Sequence, residues 1–112
     1  MTTYLFLDDV RYPPDDGNPW KAVRSVDELI TTLCVAFMSP NPKLVISLDH
    51  DLGDNVPTGY DFLNRFEKAI VMAGNPPDGW GDVEFRIHSA NPVGRDNMRR
   101  AIQSINRLLN NE

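Results

Sequence analysis

The sequence predicts one α/β domain built on a short parallel sheet with strand order 2-1-3-4. Strand-like runs alternate along the chain with amphipathic helical stripes, the pattern that produces parallel sheets. Two runs, Tyr4-Leu5-Phe6-Leu7 and Leu44-Val45-Ile46-Ser47-Leu48, are continuous, as expected of central strands buried on both faces. Polar clusters, Asp8-Asp9, Asp49-His50-Asp51 and His88-Ser89, follow three of the proposed strands. Right-handed crossovers then place the runs at residues 4–8 and 44–49 side by side, with ligands at their carboxyl ends.

The elements follow in chain order. After the first strand, residues 11–19 hold three prolines and a glycine and read as a loop. Trp20 to Val23 is a short edge strand. Ser25 and Glu28 form a capping box, and Val26, Leu29, Ile30, Leu33 and Phe37 follow at helical spacing until Pro40 and Pro42. The lone cysteine, Cys34, lies in this helix and is expected to be buried as a small apolar residue. Thr58, with Asp61 three residues on, caps a second helix whose stripe is Phe62, Leu63, Phe66, Ala69, Ile70 and Ala73; Gly74 suits its end. Asn75 to Gly81 is a turn-rich loop. Val83, Phe85 and Ile87 alternate with Glu84, Arg86 and His88, as in a strand with one wetter face. A last helix carries Met98, Ala101, Ile102, Ile105, Leu108 and Leu109.

The 112 residues suit a single domain spanning 1–112. One cysteine excludes an intrachain disulfide framework and a cysteine metal cluster. The net charge of −5 argues against bulk binding to a nucleic-acid backbone, duplex DNA included. No apolar run approaches the ~20 residues of a membrane span. Met1-Thr2-Thr3-Tyr4 lacks the basic start and apolar run of a signal peptide, so a cytoplasmic location is expected.

Three clusters can carry chemistry. Asp8, Asp9, Asp49 and Asp51 are expected close together, and four carboxylates sharing a pocket need a divalent ion or heavy protonation. Oxygen ligands favour Mg²⁺ or Mn²⁺, and the two histidines, His50 and His88, both at strand ends, tilt the choice toward Mn²⁺. Ser89 to Arg95 is the third cluster. Its Asn91-Pro92-Val93-Gly94 turn is expected to present backbone N–H groups to an anion, with Arg95 adding a guanidinium fork. Trp20, Trp80 and Tyr60 lie in or beside loops, where one of them could stack on a base, with core packing the favoured reading. Nothing matches a P-loop, a dinucleotide fingerprint or a Gly-x-Ser-x-Gly turn.

These residues resemble a receiver-type domain, the flavodoxin-like fold of response regulators. Asp8-Asp9 match the metal-binding pair after its first strand, Asp49 the phosphoacceptor after its third, and Ser89 the hydroxyl residue after its fourth. The departures are the fifth strand and its lysine, which are absent, the first helix, reduced to the loop at residues 11–19, and the foreign His50, Asp51 and His88. Together with Leu7-Asp8-Asp9-Val10-Arg11, Pro13-Pro14, Ser47-Leu48-Asp49-His50-Asp51-Leu52-Gly53, Thr58-Gly59-Tyr60-Asp61 and His88-Ser89-Ala90-Asn91-Pro92-Val93-Gly94, they resemble the cyclic-phosphate-processing receiver-like family of bacteria and phages over about residues 4–103.

The resemblance implies a three-layer flavodoxin-like sandwich and a metal-dependent phosphoesterase acting on a cyclic phosphate, in an RNA end or a small nucleotide. Asp8, Asp9, Asp49 and Asp51 would hold Mg²⁺ or Mn²⁺. His50, the preferred acid, or His88 would protonate the leaving oxygen. Arg11, Ser89, Asn91, Gly94 and Arg95 would hold the phosphate. An aspartyl-phosphate on Asp49 is a variant of this reading. The alternatives are a protein that captures a nucleotide without turnover, such as a phage protein sequestering a host signal, and a phosphorylatable interaction module.

Overall fold

Four parallel strands stand in the order β2-β1-β3-β4. They are β1 (Thr2–Leu7), β2 (Trp20–Val23), β3 (Lys43–Leu48) and β4 (Val83–Ile87), interleaved with α1 (Val26–Ala36), α2 (Gly59–Ala73) and α3 (Pro92–Leu109). The computed structural model describes residues 2–39, 42–73 and 82–109. Pro40, Gly74, the expected loop Asn75 to Gly81 and Trp80 fall outside the described residues. β1 and β3 are adjacent and central, with Leu5 opposite Ile46 and Leu7 opposite Leu48, as their apolar runs predict.

The helix starts are written in the sequence. Ser25 Oγ accepts the Glu28 N–H, while Glu28 reaches back to the Arg24 N–H. Thr58 and Asp61 cap each other reciprocally at 3.1 and 2.8 Å. At α3, Asn91 Oδ1 accepts the Gly94 N–H, and Pro92 takes the first helical position, where a missing N–H does no harm. Cys34 is exposed on α1, outside the buried stripe. No helix among the described residues is long and apolar enough to cross a membrane.

Alternation along each strand divides the sheet into two unlike faces. Leu5, Leu7, Val23, Leu44, Ile46, Leu48 and Val83 meet the helices in one core with Leu29, Phe62, Leu63, Ile70, Met98 and Ile105. Tyr4, Phe6, Trp20, Val45, Ser47 and Arg86 occupy the opposite pleats and take no part in that core. The expected third layer is therefore absent among the described residues, and all three helices lie on one face. The reason is topological. The crossovers from β2 to β3 and from β3 to β4 step the same way across the sheet, so right-handedness puts α1 and α2 on the same side, and α3 packs beside α2. Only a helix between β1 and β2 would cover the other face, and that link holds Pro13, Pro14 and Pro19 and forms none.

Aromatic packing and the loop itself shelter the second face. Trp20 meets Tyr4 and Phe6 edge-on at 5.1 and 6.2 Å, and Phe6 is only 6% exposed. Asp16 accepts both the Trp20 indole N–H and the Asn18 N–H, which pins the loop to β2. Arg24 Nη1 donates to the carbonyls of Asp8 and Arg11, fastening the start of the loop.

Gly59 lets the chain return from the end of β3 into α2. Its N–H donates to the His50 carbonyl, and a Cβ here would collide with the Asp49 carbonyl oxygen. Gly59→Ala is expected to lower stability by about 1–3 kcal/mol, the usual range for overpacking. Urea unfolding checks this, and an unchanged midpoint would contradict it.

Candidate functional site

The parallel register carries three side chains to one place. Asp8, Asp49 and His88 each follow their strand by one residue, and their N–H groups extend the ladder to Val23, Leu7 and Leu48 carbonyls at 3.1, 3.0 and 3.0 Å. Alternation turns all three to the pleats of Phe6, Ser47 and Arg86, away from the helices. One ligand atom from each lies within 4.8 Å of the others.

Asp8 is completely buried. Its Oδ1 accepts the N–H groups of Val10 and Arg11 at 3.0 and 2.8 Å, and its Oδ2 faces His88 Nε2 at 3.1 Å. Burial works against its charge, but the two backbone donors and then His88 outweigh burial and hold the carboxyl below its ordinary value. Asp49 goes the other way. Burial first, and then the Asp8 charge, push its carboxyl up, against opposing help from His88, the His50 N–H and the Ser89 hydroxyl. Burial pushes the His88 imidazole down despite both carboxylates, so the neutral ring is favoured.

Two contacts fix that ring. Its Nδ1 lies 2.7 Å from Ser47 Oγ, and Phe6 stacks on it at 4.1 Å with planes 8° apart. With Ser47 Oγ donating to Nδ1, the neutral ring's Nε2–H donates to Asp8 Oδ2. A metal ion would take the place of that proton, with Nδ1–H then donating to Ser47, the usual arrangement of a metal-binding histidine. Two carboxylates and an imidazole suit a divalent ion such as Mn²⁺ or Mg²⁺.

The other expected ligands stand apart. Asp9 is half-buried and outside the group, because the turn that caps Asp8 carries the chain away after it. Asp51 is exposed and bonded to His50 Nδ1 at 2.8 Å and Asn91 Nδ2 at 3.3 Å. The expected four-carboxylate pocket is thus corrected to two carboxylates and a histidine. His50 is likewise separate. Alternation turns it from Asp49 toward α3, where its ring packs so closely on Gly94 that a Cβ there would collide with it.

The expected phosphate cradle is also corrected. The Asn91 N–H is spent on Ser89 Oγ, the Gly94 N–H on Asn91 Oδ1 and the Arg95 N–H on the Asn91 carbonyl. Arg95 lies on another surface with Pro92, Asp96 and Arg99. Ser89 does reach the site, through Asp49. Arg11 stands in it: Nη1 donates to the His88 carbonyl at 3.2 Å, and Nε is 4.0 Å from Asp8 Oδ2.

Sequence reasoning missed Ser47, Arg24 and the role of Phe6. A hydroxyl inside an otherwise apolar run was the signal for Ser47; Arg24 acts through backbone carbonyls and leaves none. Beside His88 opens a cleft of about 360 Å³ between the loop and the second sheet face, lined by Phe6, Arg11, Tyr12, Trp20, Arg86 and His88 among others.

Acidic and polar side chains at the carboxyl ends of a parallel 2-1-3-4 sheet define a receiver-like domain. The family model of the cyclic-phosphate processing receiver domain matches residues 3–104, and the chain belongs to that family. No curated protein and no solved structure matches the chain.

The opposite shifts of Asp8 and Asp49 have a measurable consequence. Asp8 binds its proton less tightly folded than unfolded, so its contribution to stability is present above the ordinary carboxylate value and is lost as pH falls through its lowered one. Asp49 binds its proton more tightly when folded. Its contribution is present at low pH and lost as pH rises through its raised value. In chelator at neutral pH, Asp49→Asn is therefore expected to raise Tm by a few degrees, with the gain vanishing in acid. A variant that melts at or below the wild type at neutral pH would contradict the repulsion.

Proposed function

We propose that this domain hydrolyses a cyclic phosphate ester at Asp8, Asp49 and His88, with a divalent metal ion, Mg²⁺ or Mn²⁺, held by these three side chains. The observation that carries the reading is the convergence of three ligand atoms from three strand ends within 4.8 Å, in a chain of a cyclic-phosphate processing family. When bound, such an ion supplies positive charge for the phosphate's non-bridging oxygens and makes water more acidic.

The chain's own residues do the rest. Arg11, half exposed, keeps guanidinium donors for the phosphate while one holds the His88 carbonyl. Ser89 and Ser47 hold Asp49 and His88 in place. The oxygen of water forms a bond to phosphorus, one ring P–O bond breaks, and a proton goes to the leaving oxygen, giving a phosphate monoester. His88, favoured neutral and turned to the carboxylates, is the ligand in this reading and not the acid. His50, turned toward α3 with its Nδ1 on Asp51, stands apart from this centre, so the proton that reaches the leaving oxygen is the attacking water's own, passed through solvent.

The two histidines should therefore part company. At about 100 times its dissociation constant, Mn²⁺ should stabilise the wild type by about 2.7 kcal/mol. His88→Ala should lose both this gain and turnover of 2′,3′-cyclic or 3′,5′-cyclic nucleotides. His50→Ala should keep both the gain and most of the turnover. Arg11→Ala should raise KM, whereas Arg95→Ala should not. Absence of any stabilisation by Mn²⁺ or Mg²⁺ would sink the metal centre. Metal binding without turnover across the panel would favour capture of the ligand.

A further inference from the structure

We propose that the cleft between the Arg11–Trp20 loop and the uncovered sheet face is a nucleoside subsite, which takes one base and its sugar while the cyclic phosphate reaches His88 and Arg11. This rests on the phosphate reading of the Asp8–Asp49–His88 centre and adds the class of group to which the phosphate is attached.

Position is the first argument. The cleft shares His88 with the metal-capable group and is lined by Arg11, which bonds the His88 carbonyl, so a ligand in it has one end at the chemistry. The sheet face beneath it is free of helices among the described residues, and the loop that replaces a helix forms its other wall. Its volume of about 360 Å³ lies at the small end of small-molecule sites. That is room for a single nucleotide unit and not for a duplex.

The lining is the second. Tyr12 and Trp20 are aromatic, and aromatic rings are what flat bases stack on; Phe6, stacked on His88, forms the floor between them. Tyr12 is 84% exposed, so burial in the core does not account for it. It nevertheless sits on a fastened loop, with the Arg24 guanidinium 5.6 Å from its ring centre. Trp20 is held by its indole N–H on Asp16 and by edge contacts with Tyr4 and Phe6. Rings held in place before binding lose little entropy on stacking. Arg86 lies 5.9 Å from the Trp20 ring centre and is already paired with Glu84. It therefore suits the face of a base, leaving Arg11 for the phosphate.

A comparison of ligands with and without a base tests this. The probes are 2′,3′-cyclic and 3′,5′-cyclic mononucleotides, a short RNA with a 2′,3′-cyclic end, and glycerol 1,2-cyclic phosphate, which has no base. All are tried on the Mn²⁺-loaded protein, by turnover and by titration calorimetry. Tyr12→Ala and Trp20→Ala are expected to raise the KM or Kd for a nucleotide about ten-fold relative to that for the glycerol ester, with kcat little changed. Tyr12 has no core role, so its variant stays informative if Trp20→Ala fails to fold. The mononucleotide and RNA arms show whether the base comes free or from a chain end.

Turnover with the same nucleotide-to-glycerol ratio in wild type and Tyr12→Ala would overturn the subsite and leave the hydrolysis reading standing. Nucleotide binding that depends on Tyr12, without turnover, would support the subsite and overturn hydrolysis. Neither binding nor turnover of any probe would overturn both.

Discussion

A carboxylate without access to water must have its charge met by the protein, and Asp8 is the residue on which the carboxyl edge of this sheet depends. Leaving it unpaired would be strongly unfavourable. Every neighbour answers that demand. The chain turns directly after it so that the Val10 and Arg11 N–H groups reach Oδ1, and His88 comes from the far side of the adjacent strand to face Oδ2. Arg24 holds the Asp8 carbonyl and ties the same turn to the start of α1. The turn that satisfies Asp8 also launches the loop that walls the cleft, so the charge at the site and the shape of the binding face have a common origin.

The same centre contains an unresolved opposition. Asp49 shares the pocket with Asp8, and its charge is disfavoured by burial and by that neighbour. Proteins rarely keep two close carboxylates at a strand edge for packing alone, because a proton or a cation must then compensate them. A neutral His88 between them lessens the repulsion without removing it. A centre of this kind trades some stability for affinity toward a positive ion.

The sheet was legible in the sequence because its signals are local. Continuous apolar runs marked β1 and β3, alternation marked β4, and reciprocal Ser–Glu and Thr–Asp pairs marked two helix starts. Layer number was less legible, since it depends on which way each crossover steps, and one proline-rich link removed a helix from an entire face. At the site, the convergence of strand ends was readable, but the membership of the group was not. Asp9 and Asp51 look equivalent to Asp8 and Asp49 along the chain, yet one residue of displacement at a strand end reverses the direction of Asp9, and Asp51, two residues past Asp49 and beyond the strand, is held by His50 and Asn91. That rule also divided the histidines, sending His88 to the carboxylates and His50 to Gly94 of α3.

Charge distribution is compatible with the small anionic ligand proposed above. A chain of net charge −5 repels anions at long range, so attraction has to be local. Arg11 and Arg86 line the cleft and Arg24 lies over the Tyr12 ring beside it, but their placement differs. Arg24 gives Nη1 to two backbone carbonyls and Arg86 gives Nε to Glu84, while Arg11, on the His88 carbonyl and beside Asp8, is the one of the three next to the metal-capable group. One guanidinium together with one divalent ion matches a single phosphodiester charge at short range. It does not match a polyanionic backbone, which would need a row of such cations and would meet repulsion beyond the first. On the proposed reading, the electrostatics would suit one phosphate, and the aromatic wall what is attached to it.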